Sequence, residues 1–296
     1  MYNQIAANKR KTWVLMILVV ALIIGVSALF GYVQGVDPIG AIIVGTMIAT
    51  VHALISYFLA DKIALATSGA KQIKKQDFPE LWNIVENLCI ANGQPVPKIY
   101  VIQDESPNAF ATGRDPEHAS IAFTTGLLRL LDKQELQGVT AHELSHVKNY
   151  DIRVMTIVVV LVGAIMLLAD IMLRSMAFGR RDSKGNAALI MLLVGLGLAI
   201  LSPLIAQLLK LAISRSREYL ADASGAMLTR YPEGLAQALE KIALVAKPMQ
   251  KTNHATAHLF IANPFGNHMR RSSLASLFST HPPMEERVKK LRGMGA

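Results

Sequence analysis

A chain of 296 residues has room for one large domain or two small ones. Hydrophobic residues make up 52% and charged residues 17%, with a mean hydropathy of +0.36, which excludes an ordinary soluble enzyme and calls for bilayer-spanning segments. The net charge of +9 does not indicate a nucleic-acid binder, since no basic region is interleaved with stacking aromatics, and the single cysteine, Cys89, excludes a disulfide framework or a Cys-rich metal site.

The first apolar stretch, Trp13 to Tyr32, is uncharged and follows Lys9, Arg10 and Lys11. It has the length of a full span and no small-residue cleavage site, so it reads as an anchor rather than a removable signal. A short link with Gly35, Asp37 and Pro38 leads into a second stretch, Ile39 to Ala60, forming an antiparallel hairpin. The basic cluster puts the N-terminus in the cytoplasm, and the chain returns there near Asp61 and Lys62. His52 inside the second stretch is expected to bond a neighbouring helix.

Lys62 to Arg153 is compatible with water. Leu81 to Asn92 has helical periodicity and ends at Gly93; Lys98 to Gln103 alternates as a strand, with Ile99 and Val101 on one side and Tyr100 and Ile102 on the other. Ser120 to Thr124 reads as a second strand, Leu127 to Leu131 as an apolar stretch, and Lys133 to Asn149 as a helix. A third long apolar stretch, Val154 to Leu173, and a fourth, Ala187 to Ile213 with Pro203 as a kink, form a second hairpin. The linker between them carries Arg174, Arg180, Arg181 and Lys184, although a four-span count places it outside. Either the first hairpin dominates the orientation or the second does not fully cross. Ser214 to Ala296 is a second water-compatible region, in which Lys247 to Arg271 reads as a mobile loop over the cleft. The chain thus divides at 1–61, 62–153, 154–213 and 214–296, with the catalytic body assembled from the second and fourth parts.

The chemistry lies on the helix before the third stretch, in Ala141-His142-Glu143-Leu144-Ser145-His146. Histidines four apart share a helical face and can reach one metal ion, and Glu143 sits where its carboxylate can take a proton from metal-bound water. A catalytic zinc needs a third protein ligand, and Glu218 is the candidate, in Arg217-Glu218-Tyr219-Leu220-Ala221-Asp222. Asp222, one helical turn on, is placed to accept the second ring N–H of a ligating histidine. The competing reading pairs Glu218 and Asp222 with Arg215 and Arg217 as a charged patch. Two histidines and a carboxylate also suit iron or manganese. His254 and His258 repeat the four-residue spacing without a Glu, and no second metal site is assigned to them.

With Pro107 to Gly113, Ala141 to Asp151, Arg217 to Asp222, and Ser279-Thr280-His281-Pro282-Pro283 with Glu286-Arg287, the chain resembles the HtpX family of membrane-bound zinc metallopeptidases, relatives of the CAAX prenyl proteases. The resemblance implies a mainly α membrane protein with two transmembrane helical hairpins and a zincin-like α+β catalytic domain holding one zinc ion. It further implies an endopeptidase in a bacterial plasma membrane, with N-terminus and active site cytoplasmic, that cleaves misfolded or damaged membrane proteins and contacts lipid but no nucleic acid. His281 and Arg287 are implied to approach the active site, as oxyanion stabilisers or a gate; the alternative is a capped helix start with Arg287 paired to Glu286 or a lipid phosphate. Asn108, Ala109 and Phe110 read either as an edge strand that pairs with extended substrate or as a structural turn. An intramembrane-cleaving protease and a non-catalytic scaffold with a retained zinc site are the other functional readings. Lys133, Glu135, Lys148 and Asn149 flank the His142 helix and set it at or above the headgroups, against the first; Glu143 has no purpose in the second.

Overall fold

The computed structural model describes residues 2–33, 35, 37–178, 189, 192–197, 215–245, 247–251, 256–266 and 282–294. The anchor begins earlier than its apolar run: α1 spans Tyr2–Val33, so nearly three polar turns precede Trp13. Helix α2, Pro38–Phe58, starts with Pro38 in its first turn and Asp37 capping Gly40 N–H at 2.7 Å. The two helices lie close: a Cβ on Gly45 would meet Ser27 Cβ at 2.6 Å. Ile5–Leu29 and Pro38–Phe58 are long and apolar enough to cross a bilayer, and α2 turns Ile39, Ile43, Met47, Val51 and Leu54 outward. Such an apolar exterior is stable against lipid rather than water. His52 bonds Ser56 within its own helix, Nε2 to Oγ at 3.3 Å, rather than a neighbouring one.

After α3, Ala60–Thr67, the chain builds a four-stranded sheet from β1 (Ala70–Gln72), β2 (Lys98–Ile102), β3 (Ala109–Gly113) and β4 (Ala119–Thr124), in the order β1-β2-β4-β3. Strands β2 and β4 are parallel, joined through the edge strand β3; the other two pairings are antiparallel. Helix α4, Pro79–Asn92, runs between β1 and β2 and stops at Gly93, whose φ of 63° closes the C-cap. Both sheet faces are covered. Ile99, Val101, Ile121 and Phe123 pack with α4 and the helices behind it, while Ile102, Phe110 and Ala122 pack with Met155, Leu259 and Phe260.

Helix α5, Thr125–Leu130, leads to α6, Lys133–Lys148. A reciprocal cap sets the start of α6: Asp132 Oδ1 accepts from Glu135 N–H at 3.0 Å and Glu135 Oε2 accepts from Asp132 N–H at 2.9 Å. A two-residue turn, Asn149 and Tyr150, the latter with φ 59°, then sends the chain into α7, Asp151–Phe178. The first turns of α7 are buried, and Ile157 and Leu161 join Met16, Val19, Ile23 and Ala49 in one apolar cluster. The third apolar stretch and the N-terminal hairpin therefore share a core. Helices α8 (Arg215–Thr229), α9 (Pro232–Val245) and α10 (Met284–Arg292) complete the domain. Most of the fourth apolar stretch, Pro203 included, lies outside the described residues, as do most of the basic linker and His254.

Within the stretch expected as a mobile loop, residues 256–261 are packed. Leu259, Phe260 and Ile261 are buried, Phe260 meets Phe110 edge-on at 5.0 Å, and Ile261 N–H donates to Ala109 O at 3.0 Å. His258 donates through Nε2 to Met155 O at 2.9 Å, a structural bond. An apolar triplet inside the polar stretch outweighs its loop-like composition.

Candidate active site

Helix α6 carries His142 and His146 one turn apart, with their rings perpendicular and the two Nε2 atoms 3.2 Å apart. Helix α8 lies against α6 closely enough to bring Glu218 to the same point. The contact passes through Gly225, where a Cβ would meet His142 N at 3.0 Å and Ala141 C at 3.3 Å. Glu218 Oε1 lies 3.4 Å from His146 Nε2, and Oε2 lies 3.8 Å from His142 Nε2. All three side chains are buried.

Each imidazole is held from behind by a carboxylate. His142 Nδ1 is 2.9 Å from Asp222 Oδ1, and His146 Nδ1 is 2.9 Å from Asp151 Oδ2. An acceptor at each Nδ1 fixes the proton of the neutral imidazole there and makes Nε2 the atom each ring would offer a metal. Asp222 is in turn clasped by Arg287 of α10, Nε to Oδ2 at 2.9 Å and Nη2 to Oδ1 at 2.7 Å. Arg287 is fully buried and its Nη1 lies 3.8 Å from Glu218 Oε2. The structure thus brings Arg287 beneath the site, paired to Asp222 and not to Glu286 or a lipid. Glu286 instead accepts from Tyr219 Oη at 2.7 Å. His281 lies outside the described residues.

Electrostatics follow from this burial. Burial pulls His142 down to about 4. Burial would lower His146 as well, but the Asp151 bond and the charge of Glu218 outweigh it and raise the imidazole to about 9. Burial pushes the Glu143 carboxyl up to about 7, despite the opposing His146 charge. Asp222 would also rise by burial, but Arg287 and the His142 bond hold it well below the usual carboxylate range.

The donor set fits a divalent cation. A tetrahedral ion bound at about 2.0–2.1 Å separates its ligand atoms by roughly 3.4 Å. The two Nε2 atoms at 3.2 Å match that spacing, and Glu218 stands near it through both oxygens, Oε1 3.4 Å from His146 and Oε2 3.8 Å from His142, so one donor from each residue lies within 4.8 Å of the others. Charge agrees: four buried carboxylates, Glu143, Asp151, Glu218 and Asp222, face two buried guanidiniums, Arg217 and Arg287, leaving two net negative charges when all are ionised and the imidazoles are neutral. The cluster Asp115, Glu117 and His118 is partly exposed and reads as the His118–Asp115 ion pair at 2.6 Å.

Glu143 lies against β3, where the backbone N–H of Ala111 favours its charged form. Strand β3 is an edge strand, so its outer side runs past that carboxylate. Of the residues expected to pair with substrate, Ala109 already accepts from Ile261 N–H. Asn108 exchanges two bonds with Ala262, Nδ2 to O at 3.0 Å and Oδ1 from N–H at 3.1 Å, and Phe110 is buried in the sheet core. Sequence reasoning missed the role of Asp151, although it lies only five residues after His146. It also missed Arg217 and Asn8, which hold Asp151 from two other helices: Arg217 Nη1 is 3.0 Å from Asp151 Oδ1, and Asn8 Nδ2 donates to the same oxygen at 2.7 Å.

Two histidine nitrogens and a carboxylate oxygen around one point, with a further carboxylate beside them, define a metal-dependent hydrolase. The chain belongs to peptidase family M48, whose family model matches residues 75–295. It is 46% identical over 295 residues to a protease HtpX homolog of Tropheryma whipplei (strain Twist), spanning 100% of this chain and 99% of that one. A protease HtpX homolog of Dictyoglomus thermophilum is 48% identical over 297 residues, with 99% and 95% covered. The crystal structure of S. mikatae Ste24p matches with a TM-score of 0.53 at 19% identity, over 98% of this chain and 67% of that chain, which is a likeness of fold. The protein is a membrane-bound metalloprotease that acts on polypeptides.

Proposed function

We propose that the protein is a zinc endopeptidase of membrane protein quality control, with its active site on the cytoplasmic face. The observation that carries the reading is the meeting of His142, His146 and Glu218 donors beside the Glu143 carboxylate, with both Nδ1 positions tied to carboxylates. These three side chains would hold the metal, which when bound supplies a water of lowered pKa and polarises the scissile carbonyl. Glu143 takes the proton of the attacking water and passes it to the leaving amine. The Glu143 carboxylate lies against the edge strand at Ala111, so an extended peptide lying beside β3 presents its carbonyl to it. At Asn108 and Ala109 the edge is already taken by residues 261 and 262, and at Gly113 the N–H donates to Thr156 Oγ1 at 3.1 Å, which leaves Ala111 as the edge position for pairing.

Orientation is supported by charge. The catalytic body meets α1 at Asn8, beside Lys9, Arg10 and Lys11, and the basic end of a span stays in the cytoplasm. Substrate choice is supported by position: α7 leaves the His146 helix after two turn residues and joins the anchor core, so the site sits at the bilayer surface. Residues 62–153 and 214–296 form the catalytic body, and 1–61 and 154–213 the membrane part.

The test is proteolysis of an unfolded polypeptide and of a destabilised membrane protein by detergent-purified chain, before and after chelation and zinc return. Zinc-restored cleavage of both is expected. Cleavage indifferent to chelation would overturn the metal assignment, and cleavage of the soluble polypeptide alone would remove the membrane-protein role.

A further inference from the structure

The anchor helix does more than tether the protease. Near its N-terminal end, Asn8 is 2% exposed and spends its whole side-chain amide on the catalytic half of the molecule. Its Nδ2 donates to Asn149 O at 3.0 Å and to Asp151 Oδ1 at 2.7 Å. Its Oδ1 accepts from Arg217 Nη1, and that guanidinium also contacts Asp151 Oδ1 at 3.0 Å. The other oxygen of Asp151 is the one that accepts from His146 Nδ1.

We propose that Asn8 is a positioning residue of the metal centre, through which the first membrane helix orients Asp151 and thereby His146. A primary amide is suited to this place. It offers one N–H to a main-chain carbonyl, one to a carboxylate and an oxygen to a cation, and each of these is present here. Held by Asn8 and Arg217 at Oδ1, the Asp151 carboxylate has Oδ2 left to fix the His146 ring, so that Nε2 keeps its lone pair toward the donors of His142 and Glu218. The bond to Asn149 O pins the residue just before Tyr150, so one side chain clamps both sides of the corner between α6 and α7. The consequence is that metal affinity depends on how α1 is seated against α6, α7 and α8. A metal site completed from the anchor loosens when the anchor is displaced.

The inference rests on the zinc assignment above, and the experiment separates the two. Zinc affinity of full-length, detergent-purified protein is measured by competition with a chromophoric chelator, for wild type, Asn8→Ala, Asp151→Asn and the double variant. Asn8→Ala is expected to weaken zinc about 10-fold, within the range for outer hydrogen-bond partners of metal ligands. In the Asp151→Asn background it is expected to add little, because its effect runs through that carboxylate. Thr12→Val, one turn along the same helix and bonded only to Asn8 O among the contacts described, is expected to keep wild-type affinity. Zinc affinity of Asn8→Ala within twofold of wild type, or losses that simply add in the double variant, would overturn the inference. If Asn8→Ala is not recovered folded, Asn8→Asp, which keeps the size and loses both donors, stands in the same comparison. No zinc binding by wild type would instead sink the metal assignment itself.

Discussion

His146 and Asp151 face each other across a two-residue corner: α6 ends at Lys148, Asn149 and Tyr150 follow with Tyr150 at a left-handed φ of 59°, and Asp151 returns its Oδ2 to His146 Nδ1 at 2.9 Å. A bulky residue in that region costs on the order of 1 kcal/mol. The strain is tolerated because the corner is clamped by Asn8 and because it puts a carboxylate behind a metal-ligating imidazole.

Asp151→Asn keeps an acceptor but removes the charge that supports the His146 tautomer. Zinc affinity is expected to fall about 10- to 100-fold. Asp222→Ala should be worse, since it also leaves the buried Arg287 guanidinium without its bidentate partner. Breaking such a pair costs about 3–5 kcal/mol, so this variant should lose metal and unfold at lower denaturant, whereas Asp151→Asn removes the charge facing the buried Arg217 but leaves that guanidinium its bond to Asn8, and should lose less stability. Equilibrium zinc competition and denaturant midpoints, measured side by side, would separate the two.

Glu143→Gln preserves volume and leaves the three metal donors in place. Cleavage should fall by about 100- to 10,000-fold, the usual share of a general base, while zinc content stays at one ion per chain. Metal analysis of the purified variant alongside a single-turnover assay checks both halves. Retained activity would remove Glu143 from the mechanism.

The chelated protein should lose stability as pH rises from about 6.5 to 9. His146 is raised from 6.5 to about 9 in the fold, so its contribution is complete below 6.5 and is lost as pH climbs through 9. Glu143, raised from 4.5 to about 7, works in the same direction over the lower part of that window. Asp222 is depressed, so what it contributes is present above 3.8 and lost only in acid, outside the window. Zinc binding should strengthen over the same rise, because the proton on His146 must leave for the metal. Melting temperatures of chelated protein between pH 6 and 9.5 that stay level would show that the proton is not held there.

How much of this was readable in the chain depends on the range of the interaction. His142, Glu143 and His146 lie within one helical turn and a little more, and Asp222 is one turn from Glu218, so helical spacing alone exposed them. Strands β2 and β4 were visible because Ile99, Val101, Ile121 and Phe123 point to one apolar face. The three-residue β1 carries no such pattern; its side chains are half-buried or exposed, and its pairing to β2 forms it. Asp151 was hidden by a left-handed Tyr150, which no local preference announces. Asn8 was hidden because nothing near it in sequence tells which partner, 143 residues away, its amide will find. The segment around Leu259 to Ile261 was misread through its polar neighbours, though its own three apolar residues were the signal.

The meeting of α6 and α8 yields the last prediction. Glu218 reaches the two histidines only because α8 comes within van der Waals contact of the α6 backbone at Gly225, two turns from Glu218. Gly225→Ala puts a methyl 3.0 Å from His142 N and 3.3 Å from Ala141 C, and neither backbone atom can yield as a side-chain tip would. The helices must part by a few tenths of an ångström, at a cost of about 1–3 kcal/mol for overpacking a close contact. Gly225→Val enlarges the wedge and should separate the Glu218 oxygens from His142 and His146 outright. Zinc affinity should therefore fall in the order glycine, alanine, valine, while the intrinsically better helix formers at this position would by themselves favour α8. Stability of the chelated protein, followed by far-ultraviolet circular dichroism, reports the balance of those opposing effects, and zinc competition reports the geometry. Equal zinc affinity for all three residues would mean that α8 can slide to keep Glu218 in place and that the close contact does not set the site.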